Sequence, residues 1–306
     1  MTLTSVAIPV RNGAEHLPAV LGGIRSQRID GDVEIVVVDS GSTDGSVALC
    51  ERAGARVERI APEAFSHGGT RNRLMEMARG ARVAFLTQDA VPAGDGWLSA
   101  LMGGFDGEDV GLVCGPYLPR PDASPVVRRE FEDWFASIPA LARGPLGEDV
   151  QPGPHTFFSS ANGAVSRTAW ERVPFRDVPY AEDQRLALDM LNAGFSKAYV
   201  PAAGVVHSHD YPLGERFRRW FDEFRALREV YDYRAPLAPR RVLGGIRREV
   251  ARDRAAAGDS IVWESLCYHT VRALGAGLGS RADSLPAGIR RLFSLEGRST
   301  YEPSHP

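Results

Sequence analysis

Two carboxylates stand where strands should end. Asp39 closes the run Val33-Glu34-Ile35-Val36-Val37-Val38 and leads into Ser40-Gly41-Ser42-Thr43-Asp44-Gly45-Ser46, while Asp89 follows Val83-Ala84-Phe85-Leu86 through Thr87 and Gln88. Such apolar runs read as central strands covered on both faces, and open α/β sheets bind ligands beyond the carboxyl ends of their strands. A carboxylate there can hold a metal or sit beside a phosphate; the plain alternative is an Asp that opens a turn. Between them, Phe65-Ser66-His67-Gly68-Gly69-Thr70-Arg71-Asn72-Arg73 sets two glycines ahead of a helix. Small residues at a helix start let backbone N–H groups approach an anion, and Arg71 can grip a diphosphate or simply face water. Glu182-Asp183 opens a helix with the apolar stripe Leu186, Met190 and Leu191, which Gly194 ends. Acids in a first turn also complement the helix dipole without doing chemistry. His207 and His209, after Val205-Val206, point the same way from an extended segment, so one face can offer both to a site.

The elements that must position these groups follow a β-α rhythm. Leu3 to Val10 predicts a first strand ending at Arg11-Asn12-Gly13, with a helix behind it at Leu17, Val20, Leu21 and Ile24. Strands are expected at 56–60 and 110–117, with a helix at 97–105 between the Asp89 strand and the last of these. The rhythm stops over 118–158, where prolines recur and one amphipathic stretch, 126–138, carries Phe131, Trp134 and Phe135. A long irregular connection is usually functional, so an acceptor-binding lid is expected there, with a passive insertion packed by its aromatics as the alternative. Ser159-Ser160-Ala161-Asn162-Gly163-Ala164-Val165 reads as a short strand whose small residues, Asn162 and Gly163 among them, would let a sugar approach the backbone. In the tail, Phe217, Trp220, Phe221, Phe224 and Leu227 form an amphipathic helix ringed by arginines, followed by helices near 240–254 and 261–274. That aromatic stripe is either core or an interfacial face resting on anionic lipid.

Composition narrows the function classes. The 306 residues are 43% hydrophobic and 25% charged, enough apolar material for one large domain and an appendage. Residues 211–306 carry 17 Lys+Arg against 12 Asp+Glu, or +5, which leaves 19 against 27, or −8, for residues 1–210. Acidity over the presumed catalytic part argues against nucleic acid as ligand, and a basic tail suits an anionic membrane surface. Cys50, Cys114 and Cys267 form no C-x-x-C pair, which fits a reducing cytoplasm. No secretory leader or membrane span is expected, since the most apolar tail segment is broken by Glu264, His269 and Arg272.

Four motifs in register, V-A-I-P-V-R-N-G, V-V-V-D-S-G-S-T-D-G-S, F-S-H-G-G-T-R-N and F-L-T-Q-D-A-V-P, resemble family 2 glycosyltransferases, most of all their bacterial rhamnosyltransferase branch. The resemblance implies an α/β fold of GT-A type, a Rossmann-like, mostly parallel sheet flanked by helices. Residues 1–210 would form the nucleotide-sugar-binding and catalytic domain, with 118–158 as an acceptor-side insertion and 211–306 as a helical C-terminal region. It also implies an inverting, metal-dependent transferase of cell-envelope polysaccharide synthesis. The donor would be dTDP-L-rhamnose, with UDP-sugars as the alternative; the acceptor would be a glycan or lipid-linked glycan. Pro9, Arg11, Asn12, Asp39, Ser40, Gly41, His67, Gly68, Arg71, Gln88 and Asp89 would line the donor site. Asp39 would meet the nucleobase, Arg71 the diphosphate, and Asp89 with His207 the Mg²⁺ or Mn²⁺ cofactor. Asp183 matches the family's base, with Glu182 positioning the acceptor or the loop, and Trp134, Asn162 and Gly163 would face the acceptor. The enzyme is expected in the cytoplasm, peripheral on the inner membrane face through residues 211–275, with a homodimer left open.

One departure stands out. The family's D-x-D is here Thr87-Gln88-Asp89, so a single carboxylate remains. One carboxylate with donor phosphates and waters still serves Mg²⁺, with weak affinity before the donor arrives. A hydrolase using the carboxylates as an acid/base pair, and an inactive nucleotide-sugar-binding protein, are the two rival expectations.

Overall fold

A computed structural model describes residues 3–147 and 149–296; residues 1, 2 and 148 and the end of the expected C-terminal region, 297–306, lie outside the described residues. The chain runs through β1 (Leu3–Val10), α1 (Leu17–Arg25), β2 (Asp32–Asp39), α2 (Ser46–Arg52), β3 (Arg56–Arg59), α3 (His67–Met77), β4 (Arg82–Leu86) and β5 (Val91–Pro92). It continues with α4 (Trp97–Gly103), β6 (Val110–Cys114), β7 (Tyr117–Leu118), α5 (Pro125–Ala136), β8 (Leu141–Arg143), β9 (Asn162–Ser166), α6 (Arg167–Arg172) and α7 (Glu182–Asn192). β10 (Ser196–Tyr199), β11 (Val205–Val206), α8 (Leu213–Tyr231), α9 (Pro239–Ala257), α10 (Val262–Gly279) and α11 (Ala287–Phe293) complete it.

Eight strands form the central sheet in the order β3-β2-β1-β4-β9-β6-β10-β8. β1 pairs in parallel with β2 and β4, β2 with β3, and β10 with β6, whereas β9 runs antiparallel between β4 and β6 and β8 is an antiparallel edge. Val36, Val37 and Val38 on β2 and Val83 to Leu86 on β4 are wholly buried, the consequence of helices covering both faces of the sheet. The chain turns polar at Asp39 and beyond Leu86, so both acids emerge at the carboxyl edge. A separate three-stranded sheet, β5-β11-β7, gathers the segments that follow Asp89, precede His207 and follow β6.

The chain divides into two compact units. The first comprises Met1–Arg120, Trp134–Val178 and Glu182–Ser208, and holds both sheets. The second comprises Pro121–Asp133, Pro179–Ala181 and the segment from His209 onward. The stretch read as an irregular connection therefore contains a helix, α5, whose first half joins the second unit: Ala123, Val126 and Val127 pack with Ile261 and Tyr268. Arg129 reaches the buried Asp253, and Asp253 accepts from Ser265 Oγ at 2.5 Å and lies 2.8 Å from His269 Nε2. The aromatic stripe of α8 is core of this unit and not a lipid face: Phe221 is wholly buried, Leu227 is 7% exposed, and Phe217 packs edge-on against Phe293. α8 and α10 meet closely because Gly279 has no Cβ, which would fall 2.3 Å from the Phe221 carbonyl oxygen. No helix among the described residues is long and apolar enough to cross a membrane.

Lys197, the chain's single lysine, lies on β10 at 0% exposure, with no hydrogen-bond partner for Nζ among the described residues. Burial pushes its pKa below the ordinary 10.5. The unfolded state then binds the extra proton, so native stability rises with pH toward 10.5. Lys197→Met fills the same space without the charge and should stabilise by about 1–4 kcal/mol, read as a raised melting temperature near pH 7. The gain should shrink as pH climbs toward 10.5.

Candidate active site

Glu182 and Asp183, the expected catalytic pair, are held by contacts from distant parts of the first unit. The chain enters α7 through Ala181, which sits in the left-handed region at φ 60. Glu182 is 3% exposed; its Oε1 lies 2.8 Å from Arg71 Nε and its Oε2 3.9 Å from His67 Nδ1. Arg71 Nη1 also donates to the His67 carbonyl at 3.2 Å, so the guanidinium is locked into the pair. Arg71, expected at the diphosphate, is 7% exposed and ion-paired to a carboxylate. α3 starts at His67, so its glycines lie inside the first turn rather than ahead of the helix. Gly68 is needed there because a Cβ would fall 2.0 Å from the Arg176 carbonyl oxygen, and that close approach is what brings Arg71 to α7.

Asp183 accepts from the backbone N–H of Ser160 at 3.1 Å and of Gln184 at 2.8 Å. Burial, reinforced by the negative charge of Glu182, pushes its pKa up to about 6, against the opposing pull of Arg71 and the two N–H donors. A carboxyl poised there is ionised at neutral pH yet basic enough to take a proton. The Ser160 contact was not legible in the sequence, since a backbone donor leaves no side-chain signal.

The second centre lies at the small sheet. Asp89 Oδ1 and His207 Nδ1 are 3.6 Å apart, each side chain 14% exposed, and Tyr117 packs edge-on against the imidazole at 5.1 Å between centroids. The Leu118 carbonyl accepts from His207 N–H at 3.0 Å and fixes that strand end. A carboxylate oxygen and an imidazole nitrogen this close fit a divalent cation. Thr87 Oγ1, where the first acid of a D-x-D would stand, is buried without a hydrogen-bond partner among the described residues. Gln88, expected at the donor, has its Oε1 accepting from Arg11 N–H at 2.9 Å and its Nε2 donating to the Arg11 carbonyl at 3.1 Å. It ties the ends of β1 and β4 together.

At the exit of β2, Asp39 is 2% exposed. Its Oδ1 accepts from the N–H groups of Gly41 at 3.1 Å and Ser42 at 3.0 Å, while Oδ2 is buried with no donor among the described residues. Gly41 adopts φ 89 with Pro62 packed where a Cβ would stand. Ser40 is engaged with the Val10 carbonyl, at 2.9 Å from N and 3.3 Å from Oγ, and so faces inward. Asn12, at φ 49, accepts from Thr43 N–H at 2.8 Å and donates its own N–H to Ser42 Oγ at 2.8 Å, stitching the β1 and β2 loops. Pro9 lies half-buried on β1 opposite Val38, and Arg11 is exposed with no side-chain partner among the described residues.

Of the residues expected on the acceptor side, Trp134 is 37% exposed, edge-on to Phe157. Asn162 is wholly buried, donating to the carbonyls of Pro116 at 3.0 Å and Ala203 at 2.8 Å and accepting from Trp97 Nε1 at 2.8 Å. Gly163 is covered by Phe158, 2.6 Å from where its Cβ would be. Neither can meet a sugar. The small residues of β9 serve sheet packing.

A family model described as Glycosyl transferase family 2 matches residues 5–173, a span that includes Asp39, Arg71 and Asp89 and ends before Glu182. The chain is 30% identical over 304 residues to the O-antigen chain rhamnosyltransferase RfbN of Salmonella typhimurium, covering 95% of this chain and 94% of that protein. It is 28% identical to the O-antigen chain rhamnosyltransferase WbaN of Salmonella anatum, covering 86% and 84%. Among solved structures, the mannosyltransferase PcManGT of Pyrobaculum calidifontis, in complex with GDP-Man and Mn²⁺, shares the fold at TM-score 0.63 and 21% identity, over 92% of this chain and 86% of that one.

Proposed function

The chain belongs to glycosyl transferase family 2 and is a glycosyltransferase; from that premise we propose that it moves L-rhamnose from dTDP-L-rhamnose, with inversion, onto a cell-envelope glycan or lipid-linked glycan. The observation that carries the chemistry is Asp183, one half-buried carboxyl of raised pKa at the head of α7. The sugar is taken from the two rhamnosyltransferase relatives, which match most of the chain.

In this reading Asp39 Oδ2 accepts the imide N–H of thymine, the donor its buried position lacks. Arg11 and Asn12 flank the nucleoside. Asp89 and His207 would hold a divalent cation, which when bound supplies neutralisation of the charge developing on the leaving diphosphate. Asp183 takes the proton of the acceptor hydroxyl as that oxygen attacks the anomeric carbon from the face opposite the diphosphate. Glu182, fixed by Arg71 and His67, holds the loop and keeps Asp183 basic. Because the base must be ionised, kcat/KM should rise as pH climbs through about 6. Trp134 offers a flat face to the acceptor sugar. The acceptor is met at the inner face of the cytoplasmic membrane, where exposed Trp263, Leu243 and Leu274 would touch lipid beside the exposed Arg240, Arg241 and Arg247.

Uracil presents the same imide edge as thymine, so a UDP-sugar is the second reading. Calorimetric titration with dTDP-L-rhamnose and a series of UDP- and GDP-sugars, with and without Mn²⁺, tests both. The expected outcome is tightest binding of dTDP-L-rhamnose, strengthened by Mn²⁺; failure of every nucleotide sugar to bind would remove the reading.

A further inference from the structure

The small sheet brings a third side chain to the metal corner. β7 runs parallel to β11 with Leu118 opposite Val206, so Arg120 arrives beside Ser208. β5 runs antiparallel with Val91 opposite Val206, so Asp89 arrives at the same place from the other side. Arg120 N–H donates to Ser208 Oγ at 2.9 Å, its Nε donates to the Ser208 carbonyl at 3.1 Å, and its Nη2 reaches the Asp89 carbonyl at 3.5 Å. The guanidinium is thus bracketed by the main chain of the expected metal ligand Asp89 and of the residue after His207.

Among the described residues no carboxylate pairs with its charge. Arg71, Arg176 and Arg185 each sit in an ion pair with a carboxylate. Arg120 is half-buried and makes none among the described residues. A guanidinium carries five N–H donors, and two here have protein acceptors, which leaves three for something else. Holding a cation partly out of water without a counter-ion is costly unless an anion completes the site. The anion-binding arginine expected at position 71 is occupied by Glu182, whereas Arg120 has the position and the free donors.

We propose that Arg120 binds the diphosphate of the donor, donating to its terminal phosphate and neutralising part of the charge that builds there as the sugar leaves. This rests on the reading of the chain as a nucleotide-sugar transferase. Arginine suits the role because its planar fork meets two phosphate oxygens at once. With Thr87 in place of an acid, the corner lacks the second carboxylate of a D-x-D and Arg120 brings a cation to it, so a diphosphate meets less repulsion there even before a cation binds. Some diphosphate affinity should therefore survive chelation.

Titration of wild type, Arg120→Met and Arg120→Lys with dTDP and dTMP, and in parallel with UDP and UMP, in EDTA and in Mn²⁺, tests this. The wild type should prefer the diphosphate over the monophosphate in EDTA. Arg120→Met should weaken the diphosphate about 10- to 100-fold while leaving the monophosphate unchanged, and Arg120→Lys should recover part of the loss. An unaltered diphosphate preference in Arg120→Met overturns the proposal, as does an equal loss of both nucleotides, which would mark Arg120 as a brace for Asp89 and Ser208. If the wild type binds none of the four nucleotides, the underlying reading falls with it.

Discussion

Asp183→Asn should lower transfer by about 10²–10⁴-fold while leaving donor affinity within a factor of two or so of wild type, because in the proposed mechanism the residue acts on the acceptor proton rather than on the nucleotide. The substitution keeps the shape of the side chain and one oxygen to accept from Ser160 or Gln184. What it removes is basicity. The same exchange has a second, opposite consequence for stability. The folded-state pKa of about 6 lies above the ordinary 3.8, so the native state favours the neutral acid, and ionising Asp183 as pH rises from about 4 to about 6 costs the fold stability. Asn escapes that cost. At pH 8 the variant should melt at or above the wild-type temperature, and the rising limb of kcat/KM near pH 6 should disappear from whatever activity remains. A variant that is both inactive and clearly less stable would point to a brace rather than a base. Function and stability pull against each other at this one residue, as at many catalytic sites.

Asp89→Ala should be comparably severe through a different step. Removing one preorganised charge-stabilising group typically costs about 10²–10³ in rate. Here Asp89 also supplies the carboxylate of the expected D-x-D, since Thr87 offers none and His207 brings only a ring nitrogen. Turnover should fall by at least that range and should no longer respond to added Mn²⁺, measured as nucleoside diphosphate released over a Mn²⁺ titration. Retained Mn²⁺-dependent turnover would mean the cation is held elsewhere. The two variants separate cleanly: Asp183→Asn keeps the Mn²⁺ response of donor binding, and Asp89→Ala loses it.

The groups that ended apolar runs were legible in the sequence, because a buried strand that turns polar at its carboxyl end announces where a parallel sheet opens to ligand. That held for the strands leading to Asp39 and Asp89 and for the helix headed by Glu182. Fold and family followed from the same motifs. What could not be read were contacts made across the sheet. Arg71 looks like a phosphate ligand in its own loop, and nothing local says that Glu182 on another helix will take it. Asn162 and Gly163 look accessible because they are small, but β9 inserts antiparallel between β4 and β6, and small residues there are what let Phe158 and Trp97 close over the strand. Gln88 resembles a donor ligand until its amide is seen tied to Arg11 at both ends. β5, β7 and β11 are two residues each, too short for any periodicity to show, yet they alone assemble Asp89, His207 and Arg120. α5 was visible as an amphipathic stretch; that its first half packs with Ile261 and Tyr268 was not.

The most direct test is the release of dTDP from dTDP-L-rhamnose by the purified protein with a rhamnose-accepting envelope glycan, followed with and without Mn²⁺ and compared with UDP- and GDP-sugars. Acceptor-dependent release of dTDP that needs Mn²⁺, with the rhamnosyl linkage of the product inverted relative to the donor, is the expected result. Release from another nucleotide sugar alone would reassign the donor, while a retained anomeric configuration, or glycan cleavage without any nucleotide, would contradict the single-base inverting mechanism built on Asp183.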